Sequence, residues 1–157
     1  MARRQSLTTH AAPEAVDGCA LLARIVTRAI ATGDGATSLA PSVESTWTPA
    51  LQAVAAGHWR GKTDDAFAST GYVVHTLEAA LWAVGRAVDF RDAIRRAVNL
   101  GHDADTVGAV AGPIAGALFR RRGTPAAWLG TLHASPRIEG MAGALLAQAL
   151  PGSPPAG

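Results

Sequence analysis

Apolar residues recur at helical spacing along most of this chain. Val16, Cys19, Ala23, Val26 and Ile30 form one stripe behind Pro13, and intervals of three and four residues place such positions on one helix face. Thr8, Thr9 and His10 supply polar groups ahead of it, so the first helix is predicted over Pro13 to Ile30. Thr32 to Thr48 carries Gly33, Gly35, Pro41 and several Ser and Thr residues, a loop by composition, and Pro49 to Ala56 reads as a short helix with proline in its first turn. Val73, Val74, Leu77, Ala80, Leu81 and Val84 make the stripe of a helix from about Tyr72 to Arg86. Asp89 then caps a helix with Asp92 in its first turn, Arg95 and Arg96 near its end and Gly101 as its stop; its expected buried stripe is Phe90, Ile94, Ala97 and Val98. Further helices are predicted from Asp105 to Arg120, Pro125 to Leu132 and Arg137 to Leu150, and a disordered tail over Pro151 to Gly157. No segment alternates for long enough to predict a strand.

Composition narrows the class. The 157 residues are 48% hydrophobic and 17% charged, which suits one compact domain over residues 1–150 and excludes a wholly disordered chain. Thirty-five alanines favour an all-α fold. Net charge is 14 − 12 = +2, and Arg120 to Arg122 is the only run of three basic residues, so no nucleic-acid partner is expected. Lone Cys19 cannot form an internal disulfide and reads as a buried small hydrophobe. The longest apolar run, Val107 to Phe119, is far shorter than the ~20 residues that span a bilayer. Met1 to His10 lacks a signal-peptide core, and a cytoplasmic protein with no membrane partner is expected.

Chemistry concentrates between Asn99 and Gly116. Asp103, Asp105 and Thr106 stand between a helix-ending glycine and an apolar helix. Inside a regular helix, residues two apart diverge by about 200°, so both acids can aim at one point only where the backbone is still loop. Three clustered oxygen donors then suit a hard cation such as Mg²⁺. The competing reading makes one acid an ordinary cap for the helix N–H groups. Gly108, Gly112 and Gly116, at intervals of four, predict close approach of this helix to another backbone, and Pro113 predicts a kink.

The run Gly71-Tyr-Val-Val-His-Thr-Leu-Glu-Ala-Ala-Leu-Trp-Ala-Val84, then Asp89-Phe90, Ala97-Val-Asn-Leu-Gly-His-Asp-Ala-Asp-Thr106, the Gly/Ala helix and Gly123-Thr-Pro-Ala-Ala-Trp128 resembles the C-terminal half of the ADP-ribosylglycohydrolases. Ser6 to Asp17 is similar to that family's mid-chain threonine-histidine segment and following helix. The resemblance implies an all-α orthogonal helical bundle and metal-dependent hydrolysis of the glycosidic bond joining ADP-ribose to a protein side chain. It implies two Mg²⁺ or Mn²⁺ ions in the complete fold, with Asp103, Asp105 and Thr106 as metal ligands. Tyr72 matches a residue at the ADP-ribose site, and His10 matches the histidine of the threonine-histidine segment. No nucleophilic side chain is implied, because divalent ions can polarise ribose hydroxyls and activate a water. The implied partner is an ADP-ribosylated protein or an ADP-ribose-containing small molecule.

Family members are longer. Their N-terminal half carries a second acidic metal motif that would precede His10, so the chain is expected to hold an incomplete bundle with weak or no activity alone unless a companion chain, an upstream reading frame or a mis-set start supplies the remainder. The alternative is a non-catalytic module that binds a divalent ion or ADP-ribose, or packs on a partner. Thr63-Asp64-Asp65 is expected to cap a turn, and His102, where the family has glycine, to be an exposed loop residue. Trp47, Trp59, Trp82 and Trp128 are expected to pack in the core or its rim, and His58, His75 and His133 to be surface or half-buried residues.

Overall fold

The computed structural model describes residues 1–68 and 70–149. Every regular element among them is helical: α1 (Ala2–Ser6), α2 (Pro13–Thr32), α3 (Gly35–Ser38), α4 (Pro49–Ala56), α5 (Val73–Gly85), α6 (Phe90–Val98), α7 (Ala104–Phe119), α8 (Ala126–Thr131) and α9 (Ser135–Ala149). Single 3-10 turns lie at His58–Gly61, Asp64–Ala66 and Arg121–Gly123. The expected all-α class holds. One addition appears in the expected loop, where the Asp34 carboxylate accepts bonds from the Ala36 and Thr37 N–H groups and starts α3. No described helix is long and apolar enough to cross a membrane.

The chain divides into two compact units, Met1–Thr124 and a second beginning at Pro125. In the first, α5 is central. Thr76, Leu77 and every residue from Ala79 to Val84 are buried, more than one helix face can hold, and α2, α4, α6 and α7 all pack on it. Leu21, Leu51, Leu81 and Ile114 are wholly buried, each contributing roughly 1.5–3 kcal/mol by removal from water. Trp47, Trp59 and Trp82 are buried as expected.

The buried face of α2 is rotated from the predicted stripe. It comprises Asp17, Gly18, Leu21, Ile25 and Ala29, while Ile30 is 70% exposed. The cause is that apolar residues surround most of this helix, so its phase is set by two contacts that hydrophobicity does not reveal. A Cβ on Gly18 would lie 2.9 Å from Val73 Cγ2 of α5, a gap only glycine leaves open. Asp17 is buried with both oxygens bonded, Oδ1 to Arg3 Nη1 at 2.7 Å and Oδ2 to the Thr48 N–H at 2.9 Å. An unpartnered buried carboxylate would cost several kcal/mol; here it ties α1, α2 and the start of α4 together. Glu44 extends the network to Arg3 and Arg24.

In α6 the Asp89 cap accepts from the Asp92 N–H at 2.7 Å, as predicted, and Asp92 accepts in return from the Val88 N–H and Arg96 Nε. Ala93 and Ala97 are the buried positions; Val98 is exposed, contrary to expectation, because it lies beside Gly108 at the edge of the α6–α7 contact. The expected backbone approach along Gly108, Gly112 and Gly116 is not found among the described residues. A Cβ would meet only Val98 Cγ1 at the first, nothing within 4 Å at the second and Phe90 Cε2 at 4.0 Å at the third, because α6 presents side chains to this face. Pro113 does lie inside α7. The helix ends at Arg120, whose φ 61 and ψ 170 are a glycine-type conformation costing an arginine roughly 1–3 kcal/mol.

In the second unit, α8 and α9 have no buried residue, and Trp128 is 37% exposed. The helix predicted from Arg137 begins earlier, at Ser135. Leu150 and the predicted tail lie outside the described residues.

Candidate functional site

The turn between α6 and α7 aims the acids. Gly101 and His102 have φ of 75° and 51°, two consecutive left-handed residues that reverse the chain. Histidine tolerates this region better than most residues, though at a cost of about 1–2 kcal/mol. His102 is exposed, as expected. Asp103 then takes the N-cap position of α7 without bonding a helix N–H. Its Oδ1 instead accepts the Thr106 hydroxyl at 2.7 Å. Its Oδ2 occupies space that Gly71 leaves open, since a Cβ there would stand 3.0 Å away. Asp103 therefore does not form the cap hydrogen bond that the competing reading gave to one of the two acids. Asp105 lies exposed in the first helical turn and makes no side-chain hydrogen bond among the described residues.

Beside this pair is a hollow of about 390 Å³. Thr9 and His10 line one side, Cys19 and Gly18 of α2 another, and Gly71, Thr76 and Thr106 contribute from α5, α7 and the segment before α5. The structure thus brings His10 and Thr106 to one cavity, with Asp103 joined to it through its bond to Thr106. Tyr72 stands between two lining residues, Gly71 and Val73, with its own ring 45% exposed and edge-on to His75 at 5.0 Å. Asp105 is not among the lining residues. Cys19 is half-buried on the hollow's wall rather than a core hydrophobe.

His10 is held by its neighbours. Ser6, buried in α1, donates its hydroxyl to the His10 carbonyl at 2.9 Å, and the His10 N–H donates to the Ser6 carbonyl at 2.7 Å. On the opposite side the buried Thr76 hydroxyl donates to the carbonyls of Thr70 and Tyr72, closing the first turn of α5. Neither Ser6 nor Thr76 was singled out from the sequence. The available signal is a hydroxyl occupying a buried helical position.

Three helices reach this hollow near their starts: α2 through Ala15 and then Gly18 in its second turn, α5 through Val73 and Thr76, α7 through Thr106. None has a side-chain cap, nor do α1, α4 and α8, whereas α3 and α6 are capped by Asp34 and Asp89. The Ala15 N–H of α2 already donates to the Ala12 carbonyl; the first-turn N–H groups of α5 and α7 and the positive dipole ends favour an anion.

The donors Asp103 Oδ1 and Thr106 Oγ1 also suit a cation. Adjacent corners of an octahedron with ~2.1 Å bonds are about 3 Å apart, close to the 2.7 Å observed. The set is small, and no group of three or more His, Cys, Asp or Glu residues converges among the described residues. Asp64 and Asp65 do not enlarge it. Asp64 lines a separate hollow with Trp82 and Asp92, and its Oδ1 accepts the Asp65 N–H, so Asp64 rather than Thr63 makes the turn's side-chain bond.

The ADP-ribosylglycohydrolase family description matches residues 1–154. ADP-ribosylarginine hydrolase Tri1 of Pseudomonas putida (strain GB-1) is 45% identical over 138 residues, covering 88% of this chain and 37% of its own. The protein of the same description from Serratia proteamaculans (strain 568) is 41% identical over the same shares. A solved chain described as an ADP-ribosylglycohydrolase-related protein complex superposes with TM-score 0.86 at 39% identity, covering 94% of this chain and 52% of that one. The chain therefore spans under two-fifths of the length of these curated relatives and about half of the solved chain.

Proposed function

Since the chain belongs to the ADP-ribosylglycohydrolase family, we propose that it forms part of a hydrolase that releases ADP-ribose from a modified protein side chain. Arginine is the side chain we assign, following the description shared by the two relatives above 40% identity. The observation that carries the reading is the Asp103–Thr106 pair set over Gly71 at the hollow, with three uncapped helix N-termini opening on the same space.

Those N–H groups would receive the diphosphate of ADP-ribose, as helix starts receive phosphate elsewhere. His10 would contact the ligand from the α1 side, with its backbone fixed by Ser6, and Tyr72 would offer its exposed ring at the mouth. Asp103, Thr106 and Asp105 are the oxygens proposed to hold Mg²⁺ or Mn²⁺. Carboxylates are needed there, because the α7 dipole alone repels a cation. When bound, the ion supplies polarisation of the ribose hydroxyls and a water activated for attack at the anomeric carbon. The chain's own contribution in this reading is placement.

Titrating ADP-ribose into the protein with and without Mg²⁺, beside a turnover assay on an ADP-ribosylarginine protein, tests this. Mg²⁺-dependent binding that disappears in Asp103→Ala is expected. Absence of ADP-ribose binding under both conditions would sink the reading. The small donor set favours a second reading, a module that binds without turnover until a further polypeptide completes the ligand shell. Turnover by the chain alone excludes it.

A further inference from the structure

The helices that open on the hollow end together elsewhere. The C-cap Gly33 of α2, Val84 and Gly85 of α5, and Leu118 and Phe119 of α7 line a second cavity of about 690 Å³. It lies one helix length away, roughly 20 Å along α5 at 1.5 Å per residue. Arg60 and Arg86 are among its lining residues, the Arg86 guanidinium lying over the Trp82 ring at 5.5 Å, and Arg120 Nη2 lies 3.1 Å from where a Cβ on the lining residue Gly33 would stand.

None of these three arginines has a carboxylate within ion-pair distance among the described residues; the five pairs found there use Arg3, Arg24, Lys62 and Arg96. The bonds they make go to backbone carbonyls, Arg60 to Leu39 and Arg86 to Arg60 and Lys62. None of those carbonyls belongs to the last turn of α2, α5 or α7, so these guanidinium donors do not bond the ends of those three helices. The Arg60 guanidinium is further oriented by stacking over Trp59 at 4.4 Å. Asp34, between two lining glycines, turns its carboxylate to the Ala36 and Thr37 N–H groups instead.

We infer that this cavity is an oxyanion site that takes a phosphate-bearing small molecule, held by Arg60, Arg86 and Arg120 with its organic portion on Leu118 and Phe119. Planar guanidinium forks match phosphate oxygens in pairs. The volume falls within the ~300–1,000 Å³ of small-molecule sites. Arg120 keeps its place in a backbone conformation that glycine would adopt freely.

The test is an amide NMR titration of the chain with inorganic pyrophosphate, in EDTA to exclude divalent ions. The Gly33 and Gly85 amides are expected to shift saturably. Arg86→Gln and Arg120→Gly should each weaken the affinity read at those amides about tenfold, the loss of one charge-assisted hydrogen bond. Arg120→Gly guards against misfolding, because it should raise the melting temperature while binding falls. Shifts confined to Gly71 and Thr106 would belong to the hollow and would overturn the assignment. So would wild-type affinity in both variants, no response at millimolar pyrophosphate, or displacement by a polyglutamate peptide at equal charge.

Discussion

At the two ends of the α2, α5 and α7 bundle, side chains oppose the sign of the backbone. At the N-terminal end the dipoles are positive, and the first-turn and cap positions carry the acids Glu14, Asp103 and Asp105. At the C-terminal end the dipoles are negative, and the cavity carries arginines. Each end is thereby brought toward neutrality, so ligand choice rests on where individual atoms are held. The means of holding differ. The hollow is built from small hydroxyls and glycines, with Asp103 Oδ2 in the space Gly71 leaves; the second cavity is built on the buried Trp59 ring and long guanidinium arms.

The largest effect expected from breaking this contrast is on metal-dependent stability. A ligand at 100 times its dissociation constant stabilises the folded state by about 2.7 kcal/mol. Wild type should gain up to that amount in Mg²⁺, read as melting temperature, and Asp103→Ala should lose the gain while Arg86→Gln keeps it. Asp103 bonds no helix N–H, so without Mg²⁺ its removal should cost less than the ~1 kcal/mol of an ordinary cap. A cost of that size, equal with and without Mg²⁺, would make Asp103 a cap and nothing more.

Next comes Gly85→Ala at the opposite end. Its Cβ would stand 2.7 Å from Trp59 Cζ3, and the buried indole cannot yield as a flexible chain tip would. Overpacking costs typically 1–3 kcal/mol, less the up to ~1 kcal/mol gained by replacing glycine in a helix. A melting temperature lowered by a net cost of about 1–2 kcal/mol is expected, without change in the Mg²⁺ response. A shift in that response would mean that the two ends are coupled.

Much of this arrangement was legible in advance, and the misses share a cause. Pro13, Pro49 and Asp89 mark helix starts through local chemistry, and those boundaries agree with the structure. The acid-acid-threonine motif located one end of the bundle because loop and helix meet there. Rotation of α2 was not legible, because a helix apolar on most sides carries no phase information and Asp17 is buried only by virtue of Arg3 and the distant Thr48 N–H. Cys19 reached the hollow's wall through that same rotation. The second cavity left no local mark: Arg60, Arg86 and Arg120 converge only after folding.

Gly116→Ala should have a smaller effect, of opposite sign. The new methyl would meet only Phe90 Cε2 at an ordinary 4.0 Å, so the helix gains roughly 0.5–1 kcal/mol of propensity. The melting temperature should rise, with both ends unaltered. A fall would restore the expectation that α7 needs glycine for close approach.

The smallest expected effect is confined to the C-terminal end. Hydrogen bonding by the Thr37 side chain, then by the Thr37 N–H, holds the Asp34 carboxyl below its ordinary value of 3.8. A carboxyl with a lowered folded pKa binds fewer protons folded than unfolded between the two values. Its contribution is therefore complete above the unfolded pKa and is lost as pH falls through the folded one. The Thr37 amide shift should accordingly titrate with a midpoint below 3.8. Asp34→Asn keeps an amide oxygen able to cap α3 but cannot ionise, so the Thr37 amide should stay flat over the same range. The hollow should not follow this titration, because Asp34 bonds only within its own turn. A Thr37 midpoint at or above 3.8 would show that these bonds do not hold the carboxylate in solution, and Asp34 would then be available to neutralise the arginines of the second cavity.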